Sequence, residues 1–149
     1  MGADTIDDLA IEALRRHGRL SLKVRGGSMV PFIRDGDIVT VEETAPGGPG
    51  IGDVICYATT PRRLFVHRVV GRDREHLFVK GDALAFTEVV ECGQVLGKVV
   101  ALERHGTLRR LDTAAARWRN RAIATLSPAI PRLLPMALLV RRAWRVVRG

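Results

Sequence analysis

The chain has 149 residues, 46% of them hydrophobic and 27% charged, a size and balance suited to one globular core with appendages. Aromatic residues make up only 5%, too few for a base-stacking platform, and the two cysteines, Cys56 and Cys92, suit neither a disulfide framework nor a zinc site. The net charge of +8 is uneven: residues 1–103 hold 13 Lys/Arg against 15 Asp/Glu, whereas residues 104–149 hold 11 Arg against Asp112 alone.

Residues 5–17 predict an amphipathic helix. Ile6, Leu9, Ala10, Ala13 and Leu14 fall on one face, Thr5 with Asp8 resembles a capping box, and Gly18 is a C-terminal stop. The acidic start without an apolar core does not read as a signal peptide. From Leu20 the texture changes to short alternating strands: Leu20–Val24, Asp37–Val41, Asp53–Ala58, Leu64–Val70, Leu77–Lys80 and Leu96–Glu103. Turn residues punctuate them, and no βα alternation intervenes. The expected fold is therefore mainly β, a small antiparallel sheet or barrel, with an N-terminal helix and a basic C-terminal helical tail. The division expected is 1–19 for the helix, 20–103 for the β domain and 104–149 for the tail. Cys56 and Cys92 read as buried free thiols.

The pattern turns helical again from about Thr107, with Leu111, Ala115, Trp118 and Ala122 on one face. Pro128, Pro131 and Pro135 break any continuous helix further on. The apolar run Leu133–Val140 is much shorter than the ~20 residues that span a bilayer. Trp118, Leu126, Leu133, Leu134, Leu138, Leu139 and Trp144 alternate with arginines through residues 108–149. Such a segment suits a membrane surface or a protein partner; the alternative is that its apolar residues complete the core. Nucleic acid is not an expected partner, since no recognition motif accompanies the charge. The expected location is cytoplasmic or peripheral at a membrane.

The residues that could carry chemistry cluster elsewhere. In "GGSMVPFIRDGD", Gly26 and Gly27 precede Ser28, and Met29 and Pro31 follow it. A serine acts as a nucleophile only if a base takes its proton. Of the four histidines, His17 and His105 sit at element ends and His76 among charged turn residues. His67 lies inside an apolar strand and shares a face with Phe65 and Val69. Asp37, Asp53 and Asp82 each follow a glycine, which taken singly is turn chemistry.

Taken in order, "GGSMVPFIRDGDIVTV", "GDVICY", "VHRVV" and "FVKGDA" resemble the signal peptidases, specifically the archaeal and endoplasmic-reticulum branch, over roughly Leu20 to Leu102. The resemblance implies a serine endopeptidase without metal or cofactor, acting on a polypeptide substrate. It implies Ser28 as nucleophile, His67 as general base, and Asp82, Glu88 or both as the acid beside the imidazole. Gly26, Gly27 and Met29 are then the expected oxyanion and substrate-binding residues: the glycines let the substrate backbone approach, the Ser28 N–H can face the oxyanion, and Met29 and Pro31 fix the serine by packing and a rigid turn. Gly26 stands where many members carry a second, hydroxyl oxyanion donor. The related self-cleaving SOS repressors share the fold with a Ser/Lys pair, so a regulatory module that cuts its own chain is the alternative function; a binding protein acting through its basic tail is a third.

Overall fold

The computed structural model describes residues 3–44, 47–59, 63–133 and 135. In chain order these form helix α1 (Ala3–His17), strands β1 (Arg19–Lys23), β2 (Ile38–Glu42), β3 (Val54–Thr59), β4 (Arg63–Arg72), β5 (His76–Lys80) and β6 (Glu88–Glu91), a short 3-10 turn (Cys92–Gln94), β7 (Val95–Arg104), β8 (Thr107–Arg110), and helix α2 (Ala114–Leu126). The strands make one mainly-β sheet in the order β1-β2-β7-β3-β4-β5-β6, with β8 on β7, and every pairing is antiparallel.

Three register shifts, at Thr40/Val41, Cys56/Tyr57 and Val69/Gly71, coil this sheet. Its middle strands are consequently covered on both faces. Val54 and Cys56 of β3 enter a core with Leu14, Met29, Ile33, Val39, Val41, Val99 and Leu102. Ile55 and Tyr57, which point the other way, enter a second core with Val69, Leu77, Val79 and Val90. Gly97 lets β7 cross this layer: a Cβ there would overlap the Glu42 carbonyl oxygen of β2.

The structure departs from the sequence reading in four places. Helix α1 starts ahead of Thr5, so Thr5 lies within the helix instead of capping it. Its buried face is Ala10, Ile11 and Leu14, while Ile6 and Leu9 stay in solvent; this rotation lets Asp7 Oδ2 accept the Leu64 N–H of β4 at 3.1 Å. The expected end holds, with Gly18 at φ +68° and its N–H on the Leu14 carbonyl. Residues 107–110 are a strand, not the start of a helix. His105 and Gly106 both take positive φ (50° and 76°), the geometry of a two-residue hairpin turn that folds β8 back on β7. Cys92 is exposed, and only Cys56 is a buried thiol, its pKa pushed up to about 12 by burial.

Helix α2 turns Ala116, Asn120, Ile123 and Ala124 inward. It sits so close to the loop before β3 that a Cβ on Gly52 would lie 2.7 Å from the Arg121 backbone nitrogen. Its far end is held by Lys80, whose Nζ donates to the Ser127 carbonyl at 2.9 Å. Among the described residues no helix is long and apolar enough to cross a membrane. Leu134, Leu138, Leu139 and Trp144 lie outside the described residues.

Leu14 tests whether α1 belongs to the folded core. Leu14→Ala is expected to lower the unfolding free energy by about 2–5 kcal/mol in urea denaturation, the range for a buried leucine truncated in a packed interior.

Candidate active site

The serine segment is shaped by its backbone. Gly26 takes φ +85°, open to no other residue type without strain, and its N–H donates to Asp35 Oδ1 at 2.8 Å. The Val30 N–H bonds the Gly27 carbonyl at 3.2 Å, and the Phe32 and Ile33 N–H groups both bond the Met29 carbonyl at 3.0 Å. Met29, 1% exposed, and Ile33 drive into the first core. Met29 is therefore an anchor, and its side chain is not available to a ligand. Ser28, one residue earlier, is left half-buried at the rim, with Gly26 and Gly27 exposed beside it.

The segment is bolted to the turn after β5. The Ala83 N–H donates to the Ser28 carbonyl at 2.9 Å, and that carbonyl lies so near Gly81 that a Cβ there would be 2.7 Å away. Only glycine fits at position 81, and the "KGDA" block is thus the other half of the serine turn.

Adjacent residues of β4 diverge from this point. His67 and Arg68 alternate across the sheet, so one faces each side. Arg68 is bidentate to Asp82, with Nε to Oδ1 and Nη2 to Oδ2 both at 2.9 Å, and its Nη1 donates to the Gly52 carbonyl at 2.9 Å. The guanidinium also lies 5.7 Å from the Phe32 ring centroid. Both Asp82 oxygens thus accept from Arg68, and among the described residues no hydrogen bond joins Asp82 to the imidazole.

His67 instead faces Tyr57 and Glu88. Its Nδ1 is 2.9 Å from the Tyr57 hydroxyl, and that hydroxyl donates to Glu88 Oε2 at 2.7 Å. Glu88 Oε2 itself stands 3.6 Å from Nδ1. A phenol has one proton, and here it goes to the carboxylate; the oxygen is left to accept from Nδ1–H. The neutral ring is then the Nδ1–H tautomer, with the Nε2 lone pair free to act as base. Phe65 closes the aromatic wall, its ring 6.0 Å from His67 and 5.8 Å from Tyr57.

The electrostatics favour that neutral ring. Burial holds the His67 pKa below its ordinary 6.5, against the upward pull of Glu88 and of the more remote Asp82. Burial and the Glu88 carboxylate push the Tyr57 pKa well above the usual phenol value, so Tyr57 stays protonated. Lys80 is tied to the Ser127 and Gly81 carbonyls at 2.9 and 3.5 Å, and burial lowers its pKa.

Among the acids that sequence leaves as alternatives, the structure brings Glu88 to the histidine and gives Asp82 to the neighbouring arginine. Ser28 and His67 share no hydrogen bond. The turn at Gly81–Ala83 holds the Ser28 carbonyl and carries Asp82, which pairs with Arg68, the residue next to His67. Tyr57 is the residue that sequence reasoning misses. Its signal lay in the hairpin register, where Ile55 faces His67 and Tyr57 faces Phe65, placing the phenol diagonal to the imidazole. Among the described residues no cluster of His, Cys, Asp and Glu could hold a metal ion.

A family model described as Peptidase S24-like matches residues 6–100. No curated protein matches the chain.

The two acids should behave oppositely when neutralised. Asp82→Asn leaves Arg68 as an uncompensated buried cation and is expected to cost about 3–5 kcal/mol in chemical denaturation, whereas Glu88→Gln, at a partly exposed site, should cost under about 1 kcal/mol. His67 should also mark the pH profile of stability. Its folded pKa lies below the unfolded 6.5, so the folded state refuses a proton that the unfolded chain accepts. The contribution is present above about pH 6.5 and is lost as pH falls through that value toward the folded pKa. His67→Gln should remove that part of the slope in unfolding free energies measured from neutral to acid pH.

Proposed function

We propose, from the premise that the chain belongs to the Peptidase S24-like family of serine peptidases, that it is an endopeptidase of the signal-peptidase type with Ser28 as nucleophile and His67 as base. The observation that carries this reading is the His67 hydrogen-bond chain, which leaves Nε2 rather than Nδ1 free to accept a proton. A serine–lysine arrangement is less well supported, because Lys80 is committed to two carbonyl groups.

In this mechanism Ser28 Oγ attacks the scissile carbonyl carbon while its proton passes to His67 Nε2. The imidazolium is stabilised by Glu88 through the Tyr57 oxygen and directly at Nδ1. The Ser28 N–H, aimed by the Gly26–Gly27 turn, donates to the developing oxyanion. The imidazolium then gives its proton to the leaving amine, and water enters by the same route in reverse to release the acyl group. Glycine at position 26 supplies no hydroxyl to the oxyanion, a difference worth about 10²–10³ in rate where such a donor is present. The open rim at Gly26 and Gly27 suits a substrate extended against the backbone with small residues beside the scissile bond.

A peptidase assay on unstructured peptides, with mass spectrometry of both the peptides and the enzyme chain, tests the assignment. Ser28→Ala and His67→Ala should abolish turnover while leaving the fold intact. Glu88→Gln is expected to lower kcat by about 10²–10⁴, the scale of general-base assistance, and Tyr57→Phe by roughly tenfold, since Glu88 can still reach Nδ1. Undiminished cleavage by Ser28→Ala would sink the reading. Fragments of the enzyme itself, with peptides left intact, would favour self-cleavage.

A further inference from the structure

Of the face that sequence periodicity picks out, Leu111 lies ahead of α2 and packs against the first core, whereas Ala115, Trp118 and Ala122 stay outside. Ala115, Trp118, Ala122 and Leu126 recur at helical spacing along α2, yet the buried residues are Ala116, Asn120, Ile123 and Ala124 on the opposite side. Trp118 is 78% exposed, Leu126 62%, and Leu133 beyond the helix 57%. Arg117 and Arg121 flank this stripe on one side and Arg119 on the other, all exposed. From Thr113 to Gly149 the sequence holds eight arginines and no acid.

A cleft of about 340 Å³ opens beside the stripe, between α2 and the loop before β3, with Ile51, Trp118, Arg117 and Arg121 in its wall. The acid in that wall, Asp53, already accepts the Gly50 N–H at 2.9 Å and pairs with Lys98 at 3.6 Å. The guanidinium groups of the cleft are thus the ones left to meet an anion.

We propose that α2 is a bilayer-docking helix, laying Trp118 and Leu126 into the interface of an anionic membrane while Arg117, Arg119 and Arg121 meet lipid phosphates. The order of the groups selects a bilayer over a nucleic acid. An apolar centre with cationic flanks matches acyl chains edged by headgroups, whereas a polyanionic duplex would want the arginines at the centre. A protein groove could take the same stripe, but the acid-free run of arginines on both flanks asks for a continuous anionic plane.

Sedimentation of the full chain with vesicles decides this. Phosphatidylcholine vesicles containing phosphatidylglycerol should carry the protein down, and pure phosphatidylcholine should not. Trp118→Glu and Leu126→Glu, both at solvent positions, should each reduce partitioning by about tenfold or more, with unchanged thermal melting. In a Trp144→Phe background the remaining indole, Trp118, should shift its emission to the blue when anionic vesicles are added. The proposal is overturned if both glutamate variants pellet like the parent, if Trp118 emission does not move, if neutral vesicles bind equally, or if duplex DNA strips the protein from vesicles at matched phosphate concentration.

Discussion

The Arg68 guanidinium is taken out of water, 2% exposed, opposite an Asp82 carboxylate that is 0% exposed. Withdrawing two such charges costs several kcal/mol each, and the attraction between them offsets this only when the geometry is good and the remaining donors are satisfied. Both conditions hold: the pair is bidentate, and the third guanidinium nitrogen reaches the Gly52 carbonyl. Such a pair adds little net stability, but it penalises any arrangement that separates its parts. Those parts come from β4, the turn after β5, the loop before β3 and, through Phe32, the serine segment. One ion pair therefore fixes four pieces of chain whose mutual placement the proposed chemistry needs.

On the opposite face, the histidine gets a different kind of support. Its partner acid is partly in solvent, so the proton is positioned by a phenol whose own pKa keeps it protonated. Burial favours the neutral ring, against the upward pull of the Glu88 carboxylate. The structural acid is dry and the proposed functional acid is wet, a division that follows from two adjacent residues of one strand pointing apart.

Much of this was readable in the sequence because it rests on local period. The alternation in Leu64–Val70 and the other apolar runs gave the central strands, and Gly18 gave the end of α1. Glu88–Glu91 escaped because a four-residue edge strand with acids at both ends carries almost no alternation. β8 escaped because its signal is the His105–Gly106 turn, which favours positive φ without announcing a partner. In the site, four ordered motifs point to Ser28, His67 and the two acids, but they cannot divide the acids between His67 and Arg68. That division needs strand facing plus the bulge at Val69/Gly71, and Tyr57 needs the β3–β4 register. These are non-local facts, set by pairing rather than by propensity. The tail shows the same limit: periodicity grouped Ala115, Trp118 and Ala122 with Leu111, yet α2 buries Ala116, Ile123 and Ala124, and of that group Leu111, ahead of the helix, is the one packed on the core.

Lys80 gives the domain a boundary that its motifs do not. The family match ends at residue 100, yet the ammonium beside the "KGDA" turn finds its acceptor on Ser127, at the far end of α2. Gly52, whose carbonyl holds Arg68, is pressed against the same helix at Arg121. Detaching α2 would strand a buried cation one residue from the glycine that seats Ser28, and would uncover the loop that completes the Arg68 shell. The contacts that support the serine turn and the Arg68 shell thus extend to the end of α2.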